Sequence, residues 1–243
     1  MNCKLRADDT SLQTSSMSFI RKLGEIQSLY ASTQAPPRSQ VWYILTAAVL
    51  TSMNRSQDIP QVYKAVEENL QTAPVSDQVS EKTQVLMRMR EAIFKTFVLI
   101  GYPKVIGALQ ALSTTIPPNV KLPTSPIRRE ESWQDVKSQI ERGQQLFNVI
   151  YDRHSERVMK HLNTAYPDLA QTAINHLYGP VISETSIISA KETSLVMVAT
   201  LMTQDAPQQL KSHRYGALHN GATEEDLKRI ENLIRILKEN HDE

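Results

Sequence analysis

Residues 41–53 read Val-Trp-Tyr-Ile-Leu-Thr-Ala-Ala-Val-Leu-Thr-Ser-Met, and this stretch decides the fold class. It is apolar on nearly every side, which predicts a helix buried on several faces. Elsewhere apolar residues recur at helical spacing, and the alternating patterns typical of strands are hard to find. Only seven glycines interrupt the 243 residues. We therefore predict an all-α protein of about eleven or twelve helices.

Capping and turn residues place the boundaries of the other helices. Gly101 closes one helix, and the proline two residues later can open the next. Ser189 and Glu192 have the spacing of a capping box, and Thr223 precedes three acidic residues that favour a helix start. Tyr178-Gly179-Pro180 is expected to end a helix. The predicted helices span about 81–99, 104–113, 133–150, 155–166, 167–178, 189–202, 207–221 and 223 onward.

A proline-rich break divides the chain into two halves. Residues 114–131 contain four prolines, which forbid a continuous helix there. We predict an N-terminal extension at 1–37, a first, degenerate half at 38–113, the linker at 114–131 and a second half at 132–243.

The two halves share a short internal repeat at an offset of 152 residues. Ala47 aligns with Ala199, and Tyr63 aligns with Tyr215. In each half an apolar helix is followed by a polar break and by a helix with the shared tyrosine. This order predicts two related helical bundles that pack with pseudo-symmetry.

Composition excludes several classes of protein. The net charge of +1 argues against a nucleic-acid-binding surface, which usually needs a basic face. No run of 18 apolar residues occurs, so we predict no membrane span. The single cysteine, Cys3, allows no intramolecular disulfide. We expect a cytoplasmic protein; a mitochondrial one is the alternative, although Asp8 and Asp9 are atypical of a transit segment.

One motif near the C-terminus resembles a known family. From His213 the sequence runs His-x-x-x-Ala-Leu-x-Asn-Gly-Ala-Thr-x-Glu-Asp, which looks like the signature of the carboxymuconolactone decarboxylase/alkylhydroperoxidase-D-like family. Tyr178-Gly179-Pro180 and the Ser189–Glu192 segment are similar to its upstream region. In the first half, Gly101-Tyr102-Pro103 with Ala108-Leu109 is similar to another family segment. The resemblance implies an alkylhydroperoxidase-D-like fold in tandem and a homo-oligomer, for which we expect a trimer.

The peroxidase branch of that family uses a Cys-x-x-Cys dithiol just before the histidine. The corresponding positions here hold Ala206 and Gln209, and neither side chain supplies a thiolate nucleophile. The resemblance therefore implies the thiol-free, decarboxylase-like branch or an inactive member.

The resemblance also implies a candidate catalytic site. His213 would be the general acid/base, because imidazole titrates near neutrality. Glu192 would be its partner, although a capping box also explains this residue, and Tyr178 would line the same cleft, although a core tyrosine is the alternative. His154 and His161 could share a helix face, but without a carboxylate there we predict no metal site and no cofactor.

Two hypotheses for function follow. The first is a thiol-independent lyase that acts on a small carboxylated lactone or related acid. The second is a catalytically inactive oligomeric binding or assembly protein that keeps the fold. A pocket of at least roughly 300 Å³ that holds His213 and Glu192 would favour the enzyme, and a filled core there would favour the binding protein.

Overall fold

The computed structural model describes residues 4–31, 36–72 and 77–239; Cys3 lies outside these ranges. All regular secondary structure in them is helical, which confirms the all-α prediction. A π-helical segment, Ala173–Ile182, follows α9. The α-helices are α1 (Lys4–Leu29), α2 (Trp42–Ser52), α3 (Ile59–Thr72), α4 (Gln78–Lys95), α5 (Phe97–Ile100), α6 (Tyr102–Ser113), α7 (Trp133–Tyr151), α8 (Ser155–Ala165), α9 (Pro167–Thr172), α10 (Ala190–Leu201), α11 (Pro207–His219) and α12 (Glu224–Lys238).

Helices α2 and α10 form the centre of the protein. Every residue of α2 is buried, as the apolar stretch predicts, and so is the rest of α10 from Thr193 onward. The two helices pack against each other. At their ends Gln204 Nε2 donates a hydrogen bond to Ser52 Oγ over 2.7 Å, and Ser52 also bonds the Thr203 hydroxyl. Because the apolar core includes side chains from both sides of residues 114–131, the two halves share it.

Helix α1 is not among the predicted helices. Its Phe19, Leu23 and Ile26 side chains are buried in the shared core. The helix packs against α3 and α12. Part of residues 1–37 therefore contributes to the core.

The π-helical segment corrects the predicted helix end at Tyr178-Gly179-Pro180. The helical path continues through these residues to Ile182, and the Ser183 amide donates to the Tyr178 carbonyl over 2.9 Å. Gly179 instead permits close packing: a Cβ added at Gly143 of α7 would lie 2.4 Å from the Gly179 nitrogen. The wider π turn tolerates Pro180, which would disrupt an α-helix.

Residues 114–132 contain no helix, as the prolines predict. Their side chains nevertheless contact the helices around them. The Arg128 guanidinium contacts the Glu91 carboxylate of α4 and lies 4.8 Å from the centre of the Phe94 ring. Its Nε donates to the Pro180 carbonyl over 2.5 Å.

The predicted domain boundaries themselves stay a prediction. Across the described ranges, no helix combines the length and apolar character needed to cross a bilayer.

Candidate active site

A cavity of about 350 Å³ lies between α7, α8, the π-helical segment and α11. Most of its walls are apolar, and its ionisable side chains are two tyrosines and two histidines. It meets the size expected of a small-molecule site. The lining residues are Val98, Leu99, Phe147, Tyr151, Val158, His161, Leu162, Ala173, Leu177, Tyr178, Ile182, Gln208, Gln209, Ser212 and His213.

His213 projects from the second turn of α11 into this cavity. The residue keeps intermediate exposure, but protein atoms surround the ring and this desolvation lowers its pKa to about 4. The imidazole is therefore neutral near pH 7. A neutral imidazole carries one N–H donor and one acceptor nitrogen, so it can both accept and relay a proton.

Tyr178 reaches the cavity from the π-helical segment. Its hydroxyl donates to the Tyr151 hydroxyl over 3.3 Å, and its ring packs edge-on against Phe147 with 5.1 Å between ring centres. Burial raises the pKa of Tyr178 well above its ordinary value, and burial likewise raises the pKa of Tyr151. Both phenols stay protonated at neutral pH and can donate hydrogen bonds.

Glu192 lies elsewhere, at the start of α10. Its Oε2 accepts from the Ser189 amide over 2.8 Å in the predicted capping box, and Oε1 pairs with Arg88 of α4. Arg88 also donates to the Tyr43 hydroxyl. Glu192 is not among the residues that line the cavity. The structure thus brings together His213 and Tyr178 but not Glu192.

Two residues of the cavity, Tyr151 and Phe147, were not predicted from the sequence. They are four residues apart near the end of α7 and therefore lie on one face of it. That spacing indicates a shared apolar face of α7, but the residues near it in sequence do not show which element packs against this face. Gln209, at one of the two dithiol positions, also lines the cavity.

His154 and His161, which were considered as metal ligands, line different cavities. His161 lines the cavity, whereas His154 lies on a neighbouring groove. Within the described ranges, no group of three or more His, Cys, Asp or Glu side chains is placed to hold a metal ion.

Comparison with known proteins supplies the family. A sequence profile of the carboxymuconolactone decarboxylase family matches residues 167–236. A Schizosaccharomyces pombe protein named Peroxisomal protein 2 is 30% identical over 198 residues, which cover 81% of this chain and 85% of that protein. The Saccharomyces cerevisiae protein of the same name is 27% identical over 254 residues, covering 84% and 89% respectively.

The chain belongs to the carboxymuconolactone decarboxylase family. The family profile spans the π-helical segment, α10, α11 and most of α12, so it contains Tyr178, Glu192 and His213. The predicted family is confirmed, and the predicted duplication stays a prediction. No solved structure matches the chain.

The names of these family members contradict the predicted location. Both are called Peroxisomal protein 2, whereas sequence analysis predicted a cytoplasmic protein with a mitochondrial alternative. That prediction relied on the single cysteine and on the composition of residues 1–40. Organelle addresses are recognised by receptors through specific motifs, which composition does not reveal.

Proposed function

We propose that this family member is a thiol-independent enzyme that transfers protons on a small molecule held in the 350 Å³ cavity. The single observation that carries the proposal is that His213 shares a mostly apolar cavity with the hydrogen-bonded Tyr178–Tyr151 pair. Convergent polar groups in an otherwise apolar cavity are typical of catalytic pockets.

The reaction class that fits is a lyase reaction, with decarboxylation of a lactone or related acid as the family suggests. In such a step the carbon–carboxyl bond breaks, CO₂ leaves, and the carbon that keeps the electron pair takes up a proton. The neutral His213 ring would relay that proton, taking one from water at its free nitrogen as its N–H gives one to carbon, or would remove one from carbon. The Tyr151 hydroxyl, which accepts the Tyr178 proton and keeps its own, would donate a hydrogen bond to the oxygen on which negative charge develops.

Glu192 does not enter this proposal as the base. Ser189 engages one of its carboxylate oxygens and Arg88 the other. We propose that it holds the start of α10 and thereby positions the core helix rather than substrate.

The second candidate is a catalytically inactive, oligomeric binding or assembly protein. Large apolar side chains on the surface favour it: Trp133 is 74% exposed and Tyr166 is 60% exposed. Aromatic side chains are enriched in the contacts between protein chains. A homo-oligomer is compatible with either function, and we propose a trimer.

A substrate panel separates the two candidates. CO₂ release would be measured from carboxylated lactones and related small acids with the wild-type chain and with His213→Gln. We expect the substitution to lower kcat by about 10²–10⁴-fold while a bound ligand is retained, as for loss of a general acid/base. Equal turnover in both proteins would exclude His213 as the acid/base, and no turnover of any panel member despite binding would favour the binding protein.

We further propose that the protein is peroxisomal, on the basis of the two relatives' names. A fluorescent protein inserted after Thr124, in an exposed part of the 114–132 segment, leaves both termini unchanged. We expect it to co-localise with a peroxisomal matrix marker, and a diffuse signal would contradict the proposal.

A further inference from the structure

A second, larger cavity adjoins the first. Its volume is about 560 Å³, and it lies between the end of α7, the start of α8 and the outer face of α11. The two cavities share Tyr151, Val158 and Ser212 as lining residues. A ligand that passes these three side chains would occupy both spaces.

The two cavities differ sharply in charge. The first has no Arg or Lys in its lining, whereas Arg153, Arg157 and Lys211 line the second. His154 and His219 add two further imidazoles, and Asp152 is the one carboxylate in this lining. The outer cavity therefore has an excess of positive charge.

These three cations are not used to hold the fold. Each is exposed, and within the described part of the chain none of them forms an ion pair with a carboxylate. Most other basic groups near the centre, such as Arg88 and Arg128, are paired with glutamates. Three unpaired cations at the mouth of an apolar cavity complement an anionic group.

We propose that the two cavities form one elongated site for an amphipathic anion, with its apolar chain beside His213 and Tyr178 and its carboxylate or phosphate head at Arg153, Arg157 and Lys211. This deepens the proposed function, on which it rests for the placement of the reactive part of the ligand at His213. The head at the arginines is an anchoring group, distinct from the carboxyl that would leave as CO₂ beside His213 in the inner cavity.

Calorimetric binding of four probes tests the site. Decanoate is the reference, butyrate lacks most of the chain, decanol lacks the charge, and decyl phosphate carries the other head group. We expect decanoate to bind at least about 30-fold more tightly than butyrate, since each buried methylene adds up to roughly fourfold. Decanol should bind about tenfold more weakly than decanoate. Whichever of decanoate and decyl phosphate binds more tightly identifies the head group.

Two variants locate the head group. The double substitution Arg153→Gln with Arg157→Gln should weaken decanoate binding by about tenfold to 100-fold and leave decanol binding unchanged. Lys64→Gln is the matched control, because Lys64 is exposed and lines neither cavity. All three positions are on the surface, and thermal melting would verify that each variant is folded.

The outcomes are separable from those of the catalytic proposal. Equal affinity for decanoate and decanol, or for decanoate and butyrate, would overturn the amphipathic site. Unchanged binding in the Arg153/Arg157 variant would overturn the placement of the head. Tight, arginine-dependent binding without any turnover would leave this site standing while the enzymatic function fails.

Discussion

At the residue scale, desolvation rather than a charged partner sets the behaviour of His213. Burial is the one cause of its lowered pKa, and within the described ranges no hydrogen bond to the ring occurs. The imidazole is thus left free to face a ligand. Glu192 is the opposite case, because both of its oxygens are engaged by protein groups.

Protonation of His213 should couple to stability. Its pKa is about 4 in the folded chain against roughly 6.5 in an unfolded one, so the unfolded chain binds more protons between these values. The contribution of neutral His213 to the free energy of unfolding is fully present above about pH 6.5 and is lost as the pH falls toward 4. On going from pH 7 to pH 5, the wild type should lose about 1 kcal/mol more than His213→Gln, after allowance for partial exposure. Urea unfolding at both pH values measures this, and equal losses would contradict the desolvated ring.

Replacing Glu192 distinguishes a structural role from a catalytic one. Glu192→Gln weakens the cap and removes the charge opposite Arg88, so we expect a loss of about 1–2 kcal/mol of unfolding free energy. The His213 titration, followed by NMR, should not change. Glu156→Gln, in the first turn of α8, is the matched control and should be near neutral. A shifted His213 titration in Glu192→Gln would restore Glu192 as its partner.

At the scale of elements, the close contact of α7 with the π-helical segment positions Tyr178 and Tyr151 together. The contact depends on two facing glycines, Gly143 and Gly179. Because backbone rather than a flexible side chain would meet an added Cβ, the neighbouring segment must move to accommodate it.

Alanine substitutions test this contact. Gly143→Ala should lower the free energy of unfolding by about 2–3 kcal/mol and should weaken ligand binding in the cavity. Gly24→Ala is the control, since nothing lies within 4 Å of its added Cβ on α1, and it should stabilise by about 0.5–1 kcal/mol. Thermal or urea unfolding of both variants suffices. A Gly143→Ala protein as stable as the wild type would contradict the tight approach.

At the scale of the whole molecule, the proposed trimer predicts a mass in solution of three times 27.5 kDa. Light scattering on the eluted protein measures it. We expect Trp133→Ser combined with Tyr166→Ser to weaken the assembly about tenfold or more, because exposed aromatic residues commonly anchor contacts between chains. A wild-type monomer at micromolar concentration would contradict the proposal.

The sequence predicted most of the helices because their signals are local. The apolar run of α2 and the capping boxes at Ser189 and Thr223 depend on residues only a few positions apart. Predictions failed where distant residues decide the structure. Gly179 looked like a helix end, yet it faces Gly143, and Glu192 has Arg88 as a partner 104 residues away. Tyr151 lines the cavity because α7 packs on the π-helical segment, and the sequence near Tyr151 does not predict that contact.

The proposed duplication stays a prediction, but the shared core around α2 and α10 has a consequence for it. If each half came from an ancestor that folded alone, we expect that neither half does so now, because α2 and α10 cover each other. Cutting the chain at the exposed Thr124–Ser125 bond, ahead of Arg128, would leave two pieces held together only by non-covalent contacts, among them α2 with α10 and α1 with α12. The pieces would be insoluble when made separately and would reconstitute a single particle when made together, so the protein lends itself to use as a split reporter.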